Sequence, residues 1–243
     1  MGSAQSGRDG GLAGGLEVLA RAVGRSGELV LRRRGEDLQV IAGGSFLMSS
    51  ANAASSAALV TAGLDALAAT GEGQGVAALV GGLGLGYSLD VALADPRIDR
   101  VTVVEIEPVI VDWFRIFGEG RAARLAAAEA AGRARLVVDD VLAHLRASGG
   151  AYDLVTLDTD NGPDWLVRAE NAALYAETGL AAARAALRPG GVAVYWSPER
   201  YDAFAARLAG VFGRVGTRTA QDTIGERSFE YTMYVASREG EGT

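Results

Sequence analysis

The sequence predicts an α/β protein: a mostly parallel, doubly wound sheet with helices on both faces. Two observations carry this. From Val76 to Val211, short runs rich in Val, Ile and Leu alternate with longer Ala/Leu-rich helical stretches. The first of those runs, Val76 to Val80, leads into the glycine turn Gly81-Gly82-Leu83-Gly84-Leu85-Gly86 and a helix, and the next run ends on an acid, Glu105. Such a turn leaves little side chain between the backbone and an approaching molecule.

In chain order, residues 1–10 read as a disordered tail, and residues 11–75 as an N-terminal helix, a short β-meander and a linking helix. Leu12, Leu16, Leu19, Ala20 and Val23 fall at helical spacing, which predicts an amphipathic helix over residues 11–23. Strand-like runs follow at 28–32, 37–41 and 45–48, separated by Gly35-Glu36 and Gly43-Gly44, and a helix is expected over 51–69. The main domain spans residues 76–243. Its strands are expected at 76–80, 101–104, 135–138, 152–157 and 192–196, with a closing antiparallel pair at 215–219 and 229–236. Its helices are expected at 87–94, 108–117, 121–131, 141–147, 175–187 and 201–211. Pro108 suits a first helical turn, where its missing N–H would have been unpaired anyway, and Arg188-Pro189-Gly190-Gly191 stops the fifth of these helices. The alternation implies right-handed crossovers between parallel strands. The final pair completes a Rossmann-like, seven-stranded sheet of the class I methyltransferase type.

Composition removes several chemistries. The 243 residues contain no cysteine, which excludes disulfides and thiolate sites, and a single histidine, His144, which argues against a multi-histidine metal site or a Ser-His-Asp triad. All 23 basic residues are arginine, which removes lysine Schiff-base chemistry. A net charge of −7 disfavours nucleic acid and fits a cationic substrate. No apolar run approaches the ~20 residues of a membrane span. A cytoplasmic enzyme without a metal, a membrane or a nucleic-acid partner is expected.

The glycines Gly82, Gly84 and Gly86 are spaced G-x-G-x-G, and Tyr87 stands where the dinucleotide fingerprint needs its third glycine. This spacing is similar to the first motif of S-adenosylmethionine-dependent transferases. Glu105, closing the second strand, is placed to accept hydrogen bonds from two ribose hydroxyls. Ligands of such sheets sit at the carboxyl ends of the strands, where Asp140 follows the third strand and Asp158 ends the fourth. Asp140 reads equally well as a helix N-cap. Asp158 opens an acidic loop, Asp158-Thr159-Asp160-Asn161-Gly162-Pro163. Asn161 is a substrate donor or an Asx turn. Trp165 and Tyr175 are candidate substrate contacts, with packing as the alternative. Trp113 and Trp196 are expected in the core, His144 on a solvated helix face, and Arg32-Arg33-Arg34 at a solvated strand end.

Together these segments resemble the spermidine synthase (polyamine aminopropyltransferase) family. The matching pieces are ALVGGLGLG, VTVVEIEP, RLVVDDV, YDLVTLDTDNGP and LRPGGVAVYWS, within residues 28–237. The resemblance implies an S-adenosyl donor as co-substrate, S-adenosylmethionine or its decarboxylated form, with Glu105 on the ribose and Asp140 on the adenine. It also implies Asp158, with Asp160 beside it, as the acid that deprotonates an attacking amine, and a homodimer. Three positions depart from the family pattern: Gly84 stands where an Asp is usual, Asn161 where the loop's second Asp is usual, and MSSANAASSAALV replaces a Tyr-His pair. A methyltransferase, a cyclase of the donor's side chain and a non-catalytic adenosyl-binding protein are the alternatives.

Overall fold

The structure, a computed structural model, describes residues 15–71, 73–159, 162–163, 166, 168–224 and 227–239. It opens with four antiparallel strands in the order of the chain: β1 (Leu16–Gly24), β2 (Gly27–Arg34), β3 (Asp37–Ala42) and β4 (Ser45–Ser49). The helix expected over 11–23 is therefore a strand from Leu16 onward. Leu16, Val18, Ala20 and Ala22 also satisfy a period of two, and a register shift between Val18 and Ala20 accommodates Leu19. Pairing with β2 along its whole length supplies the hydrogen bonds that an isolated helix of that size would have to find alone.

A 3-10 turn at Ser50–Asn52 leads into α1 (Ala53–Ala68). The main domain then runs β5 (Val76–Gly81), α2 (Tyr87–Ala94), β6 (Ile98–Glu105), α3 (Pro108–Phe117), α4 (Glu119–Ala130), β7 (Ala134–Val138) and α5 (Val141–Ala147). It continues with β8 (Tyr152–Leu157), α6 (Ala172–Tyr175), α7 (Glu177–Ala186), β9 (Leu187–Ser197), α8 (Asp202–Phe212), β10 (Gly213–Ile224) and β11 (Arg227–Arg238). Its seven strands are ordered β10-β11-β9-β8-β5-β6-β7. The strands β5 to β9 are parallel, and β11 is antiparallel to both β9 and β10. The order reverses between β5 and β8, the place where such sheets open a crevice at their carboxyl ends.

Two apolar layers sandwich this sheet. Leu59, Leu64, Leu89 and Phe114, from α1, α2 and α3, cover one face. Leu145, Leu180, Phe204 and Leu208, from α5, α7 and α8, cover the other. The small N-terminal sheet packs through Leu29, Leu31 and Val40 onto Ile110 and Trp113 of α3, so Trp113 is a core residue as expected. A buried carboxylate fixes the start of α1: Asp222 of β10 accepts hydrogen bonds from the Ala54 and Ser55 backbone N–H groups at 3.0 and 3.1 Å. First-turn N–H groups generally need partners from outside the helix, and the helix dipole favours an anion there. The result is that α1 begins at the carboxyl edge of the sheet, beside the crevice. Among the described residues no helix is long and apolar enough to cross a membrane.

Candidate functional site

A cavity of about 430 Å³ occupies the crevice, a size suited to a small-molecule site. Its floor is the turn from β5 into α2. Gly82 has φ 91°, and a Cβ there would lie 2.6 Å from the Asp158 carbonyl oxygen, so only glycine lets the loop pass this close to the end of β8. Gly84 and Gly86 also have positive φ and line the cavity.

Glu105, at the end of β6, organises that loop. Its side chain is buried, and one carboxylate oxygen accepts from the Leu83 N–H at 2.8 Å and the Gly84 N–H at 3.4 Å. The other oxygen accepts from the Glu107 N–H at 2.9 Å. Burial pushes its pKa up, against the pull of these N–H bonds, and the neighbouring Glu107 charge adds to the rise. Glu105 still faces the cavity, so the group that holds the loop also presents acceptor oxygens to whatever sits there. Asp140 caps α5 by accepting from the Ala143 N–H at 3.0 Å, and it also lines the cavity beside Asp139.

Asp158 lies beside the glycine loop, just past β8, with its N–H on the Gly81 carbonyl at 3.2 Å. Its carboxylate accepts from the Ser56 hydroxyl at 3.1 Å, and the Ser56 carbonyl in turn accepts from the Ser88 hydroxyl at 2.9 Å. One side of the carboxyl faces the cavity and the rest is enclosed by protein. This loss of water pushes its pKa up to about 6, with the Ser56 bond pulling the other way. A carboxylate poised near neutrality and open to a cavity is suited to accept a proton.

Aromatic rings close the far end. Trp196, expected in the core, is half-buried and lines the cavity, its ring 5.2 Å from that of Tyr231. It follows Tyr195, which pairs with Leu157, and so it stands one strand from Asp158. Phe229 of β11 and Phe46 of β4 line the mouth.

Two sequence readings need correction. Tyr175 is not among the cavity-lining residues; its ring is buried against Tyr195 and Phe204, because α6 turns its apolar side to the core. His144 is not a solvated helix residue: it is half-buried, with Nε2 2.8 Å from the Tyr152 hydroxyl. Arg32 makes a side-chain hydrogen bond to Gln39 at 2.9 Å on the neighbouring strand. Asp160, Asn161 and Trp165 lie outside the described residues.

Glu107 is a residue the sequence reading passed over. It is 3% exposed and accepts from the Arg25 and Ser26 N–H groups at 2.8 and 2.6 Å. It thereby pins the β1–β2 turn, including the cavity-lining Ser26, beside the buried acid Glu105. The second acid of VEIEP was its only signal, and nothing local marks partners that distant in sequence.

No protein-family model matches the sequence, and no curated protein matches it. Solved structures do match the fold. A spermidine synthase in complex with the transition-state analogue AdoDATO superposes with a TM-score of 0.75 at 14% identity, covering 93% of this chain and 75% of that one. Spermidine synthase from Thermotoga maritima gives 0.73 at 14%, with 93% and 74% covered. A probable spermidine synthase from Corynebacterium glutamicum gives 0.64 at 14%, with 92% and 81% covered. The chain has the methyltransferase-like fold of the spermidine synthases.

Proposed function

We propose that this protein is a transferase that moves an aminopropyl-type group from an S-adenosyl donor to an amine and releases methylthioadenosine. The observation that carries the reading is Asp158: a carboxylate with a pKa near 6, at the switch point, beside a glycine loop held by a buried acid. The likeness to spermidine synthases, one of them bound to AdoDATO, supports it and favours the decarboxylated donor.

The residues fit such a donor. Glu105 would take the ribose hydroxyls, Asp140 the adenine amino group, and the glycine loop would lie under the sulfonium end. An alkylammonium with a pKa near ~10 must lose a proton before it can attack. Asp158 attracts the cation, orients it and accepts that proton. The amine lone pair then forms a C–N bond to the carbon beside the sulfonium. The C–S bond breaks, its electron pair stays on sulfur, and a neutral thioether leaves. Raising Asp158 from 3.8 to about 6 narrows the gap to the amine, so the transfer is less uphill than to an ordinary carboxylate.

The test is to incubate the protein with S-adenosylmethionine or its decarboxylated form, with and without a panel of amines, and to identify the nucleoside by mass spectrometry. Amine-dependent methylthioadenosine is expected. S-adenosylhomocysteine would mean methyl transfer and would overturn the reading.

A further inference from the structure

The far end of the cavity names a class of acceptor, given the transferase reading above. Asp158, Trp196 and Tyr231 stand at the ends of three neighbouring strands, β8, β9 and β11. Trp196 pairs with Met233, and Tyr231 and Phe229 lie two and four residues before Met233, on the same face of β11. A carboxylate is thus followed along the sheet edge by three rings on one face. Adjacent strands are ~4.8 Å apart, so the strands that carry the rings lie ~5–10 Å from the one that leads into Asp158. That is the reach of an amine joined to an aryl ring by a short alkyl arm.

Phe46, from the N-terminal sheet, adds a fourth ring to the lining. Phe46 of β4 is 43% exposed and Phe229 is 40% exposed. They come from two different sheets, yet they line the same cavity. Large apolar side chains from two sheets left open to water at one cavity mark a surface that a ligand covers. An aryl group there gains both its buried apolar area and ring–ring contacts. The second ammonium of a diamine at the same place would shed part of its water, a cost that cation–π attraction to the rings only partly offsets.

We propose that the acceptor is an arylalkylamine, its amine on Asp158 and its ring between Trp196, Tyr231 and the Phe46–Phe229 mouth. Its nitrogen gives its proton to Asp158 and forms the new C–N bond as the donor's C–S bond breaks.

The experiment is calorimetric titration of the full chain, loaded with methylthioadenosine, using phenylethylamine and putrescine as probes. Phenylethylamine is expected to bind at least about tenfold more tightly. Trp196→Ala should weaken phenylethylamine at least about fivefold, with methylthioadenosine affinity unchanged. Phe229→Ala, at an exposed position that folding tolerates, should do the same. Equal or tighter binding of putrescine, no binding of phenylethylamine, or indifference to both substitutions would overturn the proposal. Methylthioadenosine released with putrescine alone would overturn it and leave the transferase reading standing. S-adenosylhomocysteine as the product would overturn the transferase reading, while the titration still decides which amine the cavity prefers.

Discussion

Replacing Asp158 by Asn separates the catalytic use of this carboxyl from its structural cost. Asn is isosteric and keeps an oxygen for the Ser56 hydroxyl, but it accepts no proton. Loss of a general base of this kind lowers turnover by about 10²–10⁴-fold. Stability should move the other way. In the folded chain the carboxyl is raised from 3.8 to about 6, so the folded state holds its proton more tightly than the unfolded state does. Stability therefore falls as pH rises from about 4 through 6. At pH 7 the full difference corresponds to about 3 kcal/mol, and about 1–3 kcal/mol once the side open to the cavity is allowed for. Asp158→Asn should recover that amount at pH 7 and lose the advantage near pH 4. Denaturant melts of both proteins at the two pH values, with turnover and methylthioadenosine binding measured beside them, make the assay. Unchanged turnover would refute the base assignment. A stability difference that does not change with pH would refute the account of the raised pKa.

Three further outcomes are expected. Ser56→Ala removes a donor that favours the ionised carboxylate, so the acid limb of kcat/KM should move up by about half to one pH unit, read from a pH–rate profile. Glu105→Gln has one acceptor oxygen for N–H groups that now use two, so calorimetry should show methylthioadenosine bound at least about tenfold more weakly. Tyr195 carries a buried hydroxyl with no hydrogen-bond partner among the described residues, so Tyr195→Phe should raise denaturant stability by about 1 kcal/mol. A loss of that size would show the hydroxyl to be paired.

Where the sequence punctuated itself locally, the structure could be read directly. Tyr87–Ala94, Pro108–Phe117, Val141–Ala147 and Tyr152–Leu157 fall where their bounding Gly, Pro and Asp residues put them. The glycine loop, Glu105, Asp140 and Asp158 could likewise be anticipated around one crevice, because the topology of an alternating chain brings strand ends together. What was missed depends on distant partners. Leu16–Gly24 fits two periods, and pairing with β2 decides between them. β9 to β11 extend beyond their apolar runs because a ladder's hydrogen bonds are made by backbone, whatever the side chains. Trp196 reads as an ordinary core residue until β11 and the N-terminal sheet place rings around the same space, and Glu107 reads as one more acid until the β1–β2 turn arrives.

The most direct test of the central claim is a single turnover with the decarboxylated donor and an isotopically labelled amine, following both products by mass spectrometry. Methylthioadenosine and, in equal amount, the labelled amine carrying the aminopropyl arm are expected. A demethylated nucleoside product, or methylthioadenosine with no labelled adduct, would contradict that claim.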